Sequence, residues 1–483
     1  MNKNKKIIII TIISLIVLIG IYLLYNTYAL TTKTTNNGDY YTINLTDSNI
    51  VSLAANEEKT VIYRINNTNN GTVSYGVAYN NSNIEVKVYS DSKDKVTGTI
   101  GANDNKYVKL HLKNKTSSNT TVEITAVMGY ENGGDLIVPS DSTLVTGTYT
   151  APISLAKYIT NLYTNASKST VTNNSITYNY ATSESLMNDR LGGTTSSLDG
   201  GNIRYYGASP KNYVYFNCET YPSTNCELWR IIGVFDGKIK LMRNESIGNY
   251  SWDTSASSVN SGYGVNEWSQ ADLMKLLNPG HESESVGGSL YYNSKSKTCY
   301  NRNNNATTSC NFTSTGIKND TTRNMIAETT WNLGGWNSSD IFSNVMYEKE
   351  RGATTVSNSS DGITRATTWT GKIALPYPSD YGFATDLSKC SQTLSNYYSS
   401  TDSYACRSND WMYSIFKTNT FNWLLTPLSG NANNAFNVYS AGYVNKNTSV
   451  YGANGVAPVL YLGSDQDIVA GDGSQSNPYQ LKA

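Results

Sequence analysis

Charge is scarce in this sequence. Lysine, arginine, aspartate and glutamate make up only 15% of its 483 residues, and the 37 basic and 37 acidic side chains cancel. Without a basic surplus or a long run of one sign, the chain lacks the electrostatic footprint of a nucleic-acid binder. Histidine is scarcer still: His111 and His281 are the only two. A Ser-His-acid system in the C-terminal half would have to use His281, inside the turn-like Pro279-Gly280-His281-Glu282, a poor place for a base that an acid must hold rigidly. No His-Glu-x-x-His, phosphate loop, dinucleotide fingerprint or Cys-x-x-Cys occurs. These absences remove the commonest metal, nucleotide and triad chemistries.

What fills the chain instead is Gly, Asn, Ser, Thr and 38 tyrosines, a β-rich and loop-rich composition. Its one long apolar run is Ile7–Tyr25, broken by Thr11, Ser14 and Gly20 and preceded by Lys3, Lys5 and Lys6. At helical rise this run reaches roughly 28 Å, the depth of a hydrocarbon core, with the lysines predicting a cytoplasmic N-terminus. Ala29, with Thr27 two residues before it, offers a signal-cleavage alternative, but such apolar regions are usually shorter. The expectation is a cytoplasmic tail over 1–6, an uncleaved transmembrane signal anchor over 7–25 and everything else outside the cell.

The six cysteines agree with export. They lie in close pairs, Cys218 with Cys226, Cys299 with Cys310 and Cys390 with Cys406, which reads as three disulfides each pinning one loop.

Residues 31–39 read as a linker. Over 40–130 the apolar residues alternate with period two, as in Val61, Tyr63, Ile65 and again in Val108, Leu110, Leu112. Short strands at this spacing predict an all-β sandwich of immunoglobulin type. It resembles the small sandwich domains of Gram-positive envelope proteins and is expected to act as a spacer. Residues 131–200 read as a linker with one short helix that Ser154 caps and Leu155, Ile159 and Leu162 line.

From 201 to 483 the pattern is α+β. Glu227–Phe235 and Lys238–Arg243 flank Asp236-Gly237, a hairpin signal. Ser269, Asp320 and Ser339 are candidate helix caps. The segment Leu228-Trp229-Arg230-Ile231-Ile232 is followed by Trp268-Ser269 through Leu276-Leu277-Asn278. Near the end come Trp423-Leu424-Leu425-Thr426-Pro427 and Gly455-Val456-Ala457-Pro458-Val459-Leu460. Together these resemble a domain family of unknown function in bacterial surface proteins. The closing motif also resembles the C-type-lectin-like fold of formylglycine-generating enzymes and of variable receptors. Arginines of that pattern are Leu425 and Ala457 here, so any ligand contact they make in relatives is missing. The resemblance implies ligand contacts on the last strands.

Asparagine amides beside aromatic rings in 431–451 supply the hydrogen bonds and stacking faces that sugar or peptide recognition uses. The candidate ligand-binding residues are Asn433, Asn434, Asn437, Tyr439, Tyr443, Asn445 and Tyr451. Calcium, common in C-type lectins, finds only Asn409-Asp410 and the spaced Asp465, Asp467 and Asp472, too few oxygen ligands for a full site, so no metal or cofactor is expected and calcium stays the one candidate ion. The reading is a single-pass membrane protein of the bacterial cell surface. It is expected to bind an extracellular glycan or protein, with no nucleic acid and no catalysis. The alternatives are a structural envelope component without a ligand, and a glycan hydrolase drawing paired carboxylates from Asp380, Asp386 and Asp410.

Overall fold

The structure, a computed structural model, describes residues 27–34, 40–41, 49–68, 70–89, 96–129, 135–149, 152–191, 201–255, 264–354, 361, 363–397 and 401–482. The 1–6 tail and the anchor expected over 7–25 lie outside them. Among the described residues no helix is long and apolar enough to cross a membrane. The chain divides into two compact units, Met1–Ala151 and Pro152–Ala483, and β-strands dominate both.

In the first unit a six-stranded and a five-stranded sheet make a β-sandwich. Its longest ladder sets Glu58–Asn67 antiparallel to Asn105–Asn114, with Val61 opposite Leu110 and Tyr63 opposite Val108. Period-two alternation turns these residues to one face, where they join Val77, Val86, Ile124 and Met128 in a single core. One expectation is corrected here. Thr31–Thr34, read as linker, continue the strand Thr27–Thr34, which runs parallel to Glu58–Asn67 with Leu30 opposite Ile65. Threonine is polar enough to read as linker, yet its β-branched side chain favours a strand.

The second unit begins at Pro152, well before 201. Ile153–Ser154 pairs with Asp467–Ala470, which pairs in turn with Gln480–Leu481, so the first and last strands of this unit lie together. The helix Leu155–Asn165 follows, with Ser154 Oγ accepting from Lys157 N at 3.3 Å. Residues 166–191, read as linker, instead supply Ser169–Asn173, Ile176–Ala181 and Leu186–Asn188, the first strands of a nine-stranded antiparallel sheet. Tyrosine explains the misreading: Tyr178, Tyr180, Tyr206 and Phe383 pack a core of their own, and tyrosine carries a polar handle on an apolar ring.

The sheet continues through Ile203–Tyr205, Glu227–Phe235, Lys238–Arg243 and Val459–Tyr461 to Ile373–Ala374. The Asp-Gly hairpin forms as its signal predicts, with Asp236 at φ 49° and Gly237 at φ 74°, the left-handed pair of a tight turn whose twist matches the strands. Of the predicted caps, Ser154 holds. Asn319, not Asp320, caps the helix Asp320–Met325. The helix Ser343–Glu350 starts four residues after Ser339 and has no side-chain cap. Ser269 lies in a short 3-10 turn capped by Glu267, ahead of the helix Asp272–Leu277.

Trp229, Trp268 and Trp423 are buried in one core, as are Leu425 and Ala457. The three disulfides join Cys218 to Cys226, Cys299 to Cys310 and Cys390 to Cys406.

Candidate functional site

A second sheet in this unit carries a cleft at one end. Its strands, in order, are Asn249–Ser251, Ala453–Gly455, Phe421–Pro427, Asn434–Tyr439 and Val444–Ser449. Trp423 locks the first to the third, its buried indole Nε1 donating to Tyr250 O at 2.9 Å. The close approach of Gly455 to Phe421–Pro427 demands glycine. A Cβ there would lie 2.3 Å from Asn422 Oδ1 and 2.6 Å from Asn419 Nδ2.

At this end of the sheet lies a cleft of about 480 Å³. Asn249, Ala453 and Asn454 come from the paired strands, and Asn419, Thr420 and Phe421 approach from the neighbouring strand and its lead-in. Thr448 lines it from the last of these strands, Tyr451 and Gly452 from the turn that follows, and Arg302 with Asn303 from a hairpin tip. No acidic side chain lines it.

That tip is held from three sides. The Cys299–Cys310 disulfide staples Ser296–Tyr300 to Thr307–Asn311. Arg302 N donates to Ser251 Oγ at 2.7 Å, and Ser251 Oγ donates to Tyr451 O at 2.8 Å. Asn305 N donates to Thr254 O at 3.0 Å. Arg302 and Asn303 both take positive φ, 58° and 56°, a conformation asparagine tolerates and arginine rarely adopts.

A second cavity of about 410 Å³ abuts the first. It shares Asn249 and Asn419 with it and runs on past Ser414 and Thr418 to Asn244 and Glu245. Bordered in common by these two asparagines, the pair makes a groove lined mainly by amides and hydroxyls, with Arg302 and Glu245 as its charged side chains and Phe421, Tyr451 and Ile415 among its apolar ones. Asn454 is 8% exposed, and its Nδ2 has no hydrogen-bond partner. A buried donor left bare costs about 1–3 kcal/mol; the atom is closed off from the groove as the side chain stands, and a turn of the Asn454 side chain would bring it to a ligand oxygen.

The sequence-predicted residues divide around this groove. Tyr451 lines it. Tyr439 packs at a tilt between Phe421, itself a groove residue, and Tyr443, with centroids 5.1 and 5.2 Å apart, so a row of half-buried rings leads away from the groove. Asn445 Nδ2 donates to Thr448 Oγ1 at 3.1 Å, tying down another lining residue. Asn434 Oδ1 accepts from Ser449 Oγ at 3.4 Å. Asn433 and Asn437 are buried, at 5% and 0% exposure, and face the interior of the fold. Residue-type reasoning could not separate inward from outward amides. It also missed Asn249, Arg302, Asn303, Asn419 and Asn454, which four distant segments bring together; the one local signal was the cysteine pair bracketing Arg302.

Carboxylates elsewhere in this unit serve the fold. Asp380 Oδ1 accepts from Arg204 at 2.9 Å and its Oδ2 from Lys240 at 2.5 Å, while Arg204 also binds Asp189 at 2.6 Å. Burial opposes its ionisation, but the Lys240 and Arg204 charges win and hold the Asp380 carboxyl below its usual range. Burial pulls the Lys240 amine down to about 8. Asp410 takes hydrogen bonds from Thr385 Oγ1 and Met412 N, each at 2.8 Å, yet its burial pushes it up to about 8. Asp386 binds the hydroxyl of Ser388. Among the described residues no three His, Cys, Asp or Glu side chains converge as metal ligands.

No family model, curated protein or solved structure matches the chain.

Proposed function

We propose that this protein is a membrane-tethered extracellular receptor whose second unit holds an elongated, hydroxyl-rich ligand, a glycan, in the amide-lined groove, without catalysing its breakdown. One observation carries the reading: two cavities of about 480 and 410 Å³ share Asn249 and Asn419, and the buried Asn454 Nδ2 there lacks a partner. Amides paired with rings such as Phe421 and Tyr451 are what a sugar needs, donors and acceptors for its hydroxyls and flat faces for its C–H surfaces.

Three further features support the wider assignment. The disulfides belong in an oxidising compartment. The 7–25 run behind lysines has the length and flanks of an anchor. The pairing of the second unit's first and last strands suits a C-type-lectin-like domain, and the facing sheets of the first suit an immunoglobulin-like one. A binding rather than hydrolytic role fits the placement of Asp380, Asp386 and Asp410, whose oxygens are engaged inside the fold.

The test is a glycan screen with full-length oxidised protein in mild detergent, alongside Thr448→Trp, which fills the groove from its rim. Saturable binding lost in the filled variant supports the reading. Equal binding by both proteins, or no binding by either, sinks it.

A further inference from the structure

The groove reading leaves open what kind of glycan would bind, and the larger cavity has a bias that bears on this. Its one charged lining side chain is a cation. Asn454, 8% exposed, lines the cavity as well, with its Nδ2 buried and unpartnered. The Arg302 guanidinium stands at the rim, and among the described residues no carboxylate pairs with it. No lining side chain there is acidic; Glu245 belongs to the far end of the second cavity.

Arg302 is also placed at some conformational cost. A non-glycine residue at φ 58° is uncommon, and a strained residue persists where its surroundings over-determine it. Here the surroundings are the Cys299–Cys310 staple and the backbone bonds to Ser251 and Thr254. These hold the tip against the strands that build the cleft, so the guanidinium fork is presented on a fixed base. A planar fork of N–H donors matches the paired oxygens of a carboxylate or phosphate better than a lone hydroxyl.

We propose that the groove is selective for an acidic glycan or polyol. Arg302 receives the anionic substituent, and Asn454, its side chain turned into the groove, donates from Nδ2 to an oxygen of the adjoining unit. The inference rests on the groove being the binding site. Carboxylate and phosphate present the same chemistry to Arg302, and the experiment separates them.

Full-length oxidised protein is passed at low salt over immobilised polygalacturonate, poly(glycerol phosphate) and neutral dextran. The variants Arg302→Gln, Arg302→Lys and Thr448→Trp run alongside, with Lys297→Gln as a control for charge on the same hairpin. Wild type is expected to prefer one acidic polymer over dextran, and which one identifies the anion. Arg302→Gln should lose about fivefold on that polymer, the scale of one partly exposed charge pair. It should keep its dextran binding, Arg302→Lys should be intermediate and Lys297→Gln unchanged. An acidic preference that survives Arg302→Gln, or falls equally in Lys297→Gln, overturns the proposal and leaves the groove standing. An acidic preference that survives Thr448→Trp, or no retention of wild type on any polymer, overturns both.

Discussion

Lys240 Nζ lies 2.5 Å from Asp380 Oδ2, and both side chains are about 1% exposed. Their strands and helix are far apart in sequence, and Arg204 completes the arrangement by bridging Asp380 and Asp189. Two cations and two carboxylates thus balance inside the sheet, with the rings of Phe235 and Tyr377 against the Lys240 ammonium. Such a set adds little net stability over an apolar core, but breaking it strands a buried charge.

Arg204→Met should therefore lower the unfolding free energy of the second unit by about 3–5 kcal/mol. Urea unfolding followed by tryptophan fluorescence reads this directly, since most of the tryptophans are buried there. A loss under about 1 kcal/mol would mean that the two carboxylates find other partners.

Stability should fall as pH rises from mildly acidic to mildly alkaline. Burial, acting first, raises Asp253 to about 6, Glu350 to about 7 and Asp410 to about 8. Unfolded, each titrates near 4. A group whose folded pKa is raised contributes stability that is fully present below the unfolded value and is lost as pH climbs through the folded one. The urea midpoint should thus drop between pH 5 and pH 9. Asp410→Asn, which keeps an oxygen for Met412 N and Tyr413 N, should flatten the upper part of that decline. An unchanged slope in this variant would mean that Asp410 ionises without penalty.

Gly455→Ala probes the groove's construction. The new methyl would lie 2.3 Å from Asn422 Oδ1 and 2.6 Å from Asn419 Nδ2. Overpacking of this kind costs about 1–3 kcal/mol, and it should displace Asn419, the residue both cavities share. Thermal unfolding and glycan binding should decline together. Full stability in this variant would contradict the close approach.

Removing the staple with Cys299→Ala and Cys310→Ala should cost about 2–3 kcal/mol on the chain-entropy model and open the 301–306 tip to protease. Trypsin cleavage after Arg302, followed by mass spectrometry, measures that opening. Protection equal to wild type would show that the Ser251 and Thr254 bonds suffice to hold the tip.

Much of the fold was legible because local chemistry carried it. Period-two runs such as Val108, Leu110, Leu112 face one core, and the Asp236-Gly237 turn closes where its residues place it. The neighbouring cysteines pair. Reading failed where threonine carried a strand, at Thr31–Thr34, and where tyrosine stood in for aliphatic residues, at Tyr178 and Tyr180. The site was legible only at Tyr451 and in the ring row beside Phe421. Asn454 and Asn437 are the same residue type on strands of one sheet. Only the register, which the asparagine-rich sequence does not advertise, puts one in the groove and the other in the interior.

Asn454→Leu tests the central claim most directly. It replaces a buried, unpartnered amide donor with an apolar side chain of the same branching and heavy-atom count. If that donor serves a ligand, the variant should unfold at an equal or higher urea concentration, because a bare buried group is removed. Calorimetric titration with whichever polymer wild type retains should show roughly tenfold weaker binding, the worth of one buried hydrogen bond to ligand. Unchanged affinity in a variant of full stability would contradict the account, because the Asn454 amide would then have no part in binding.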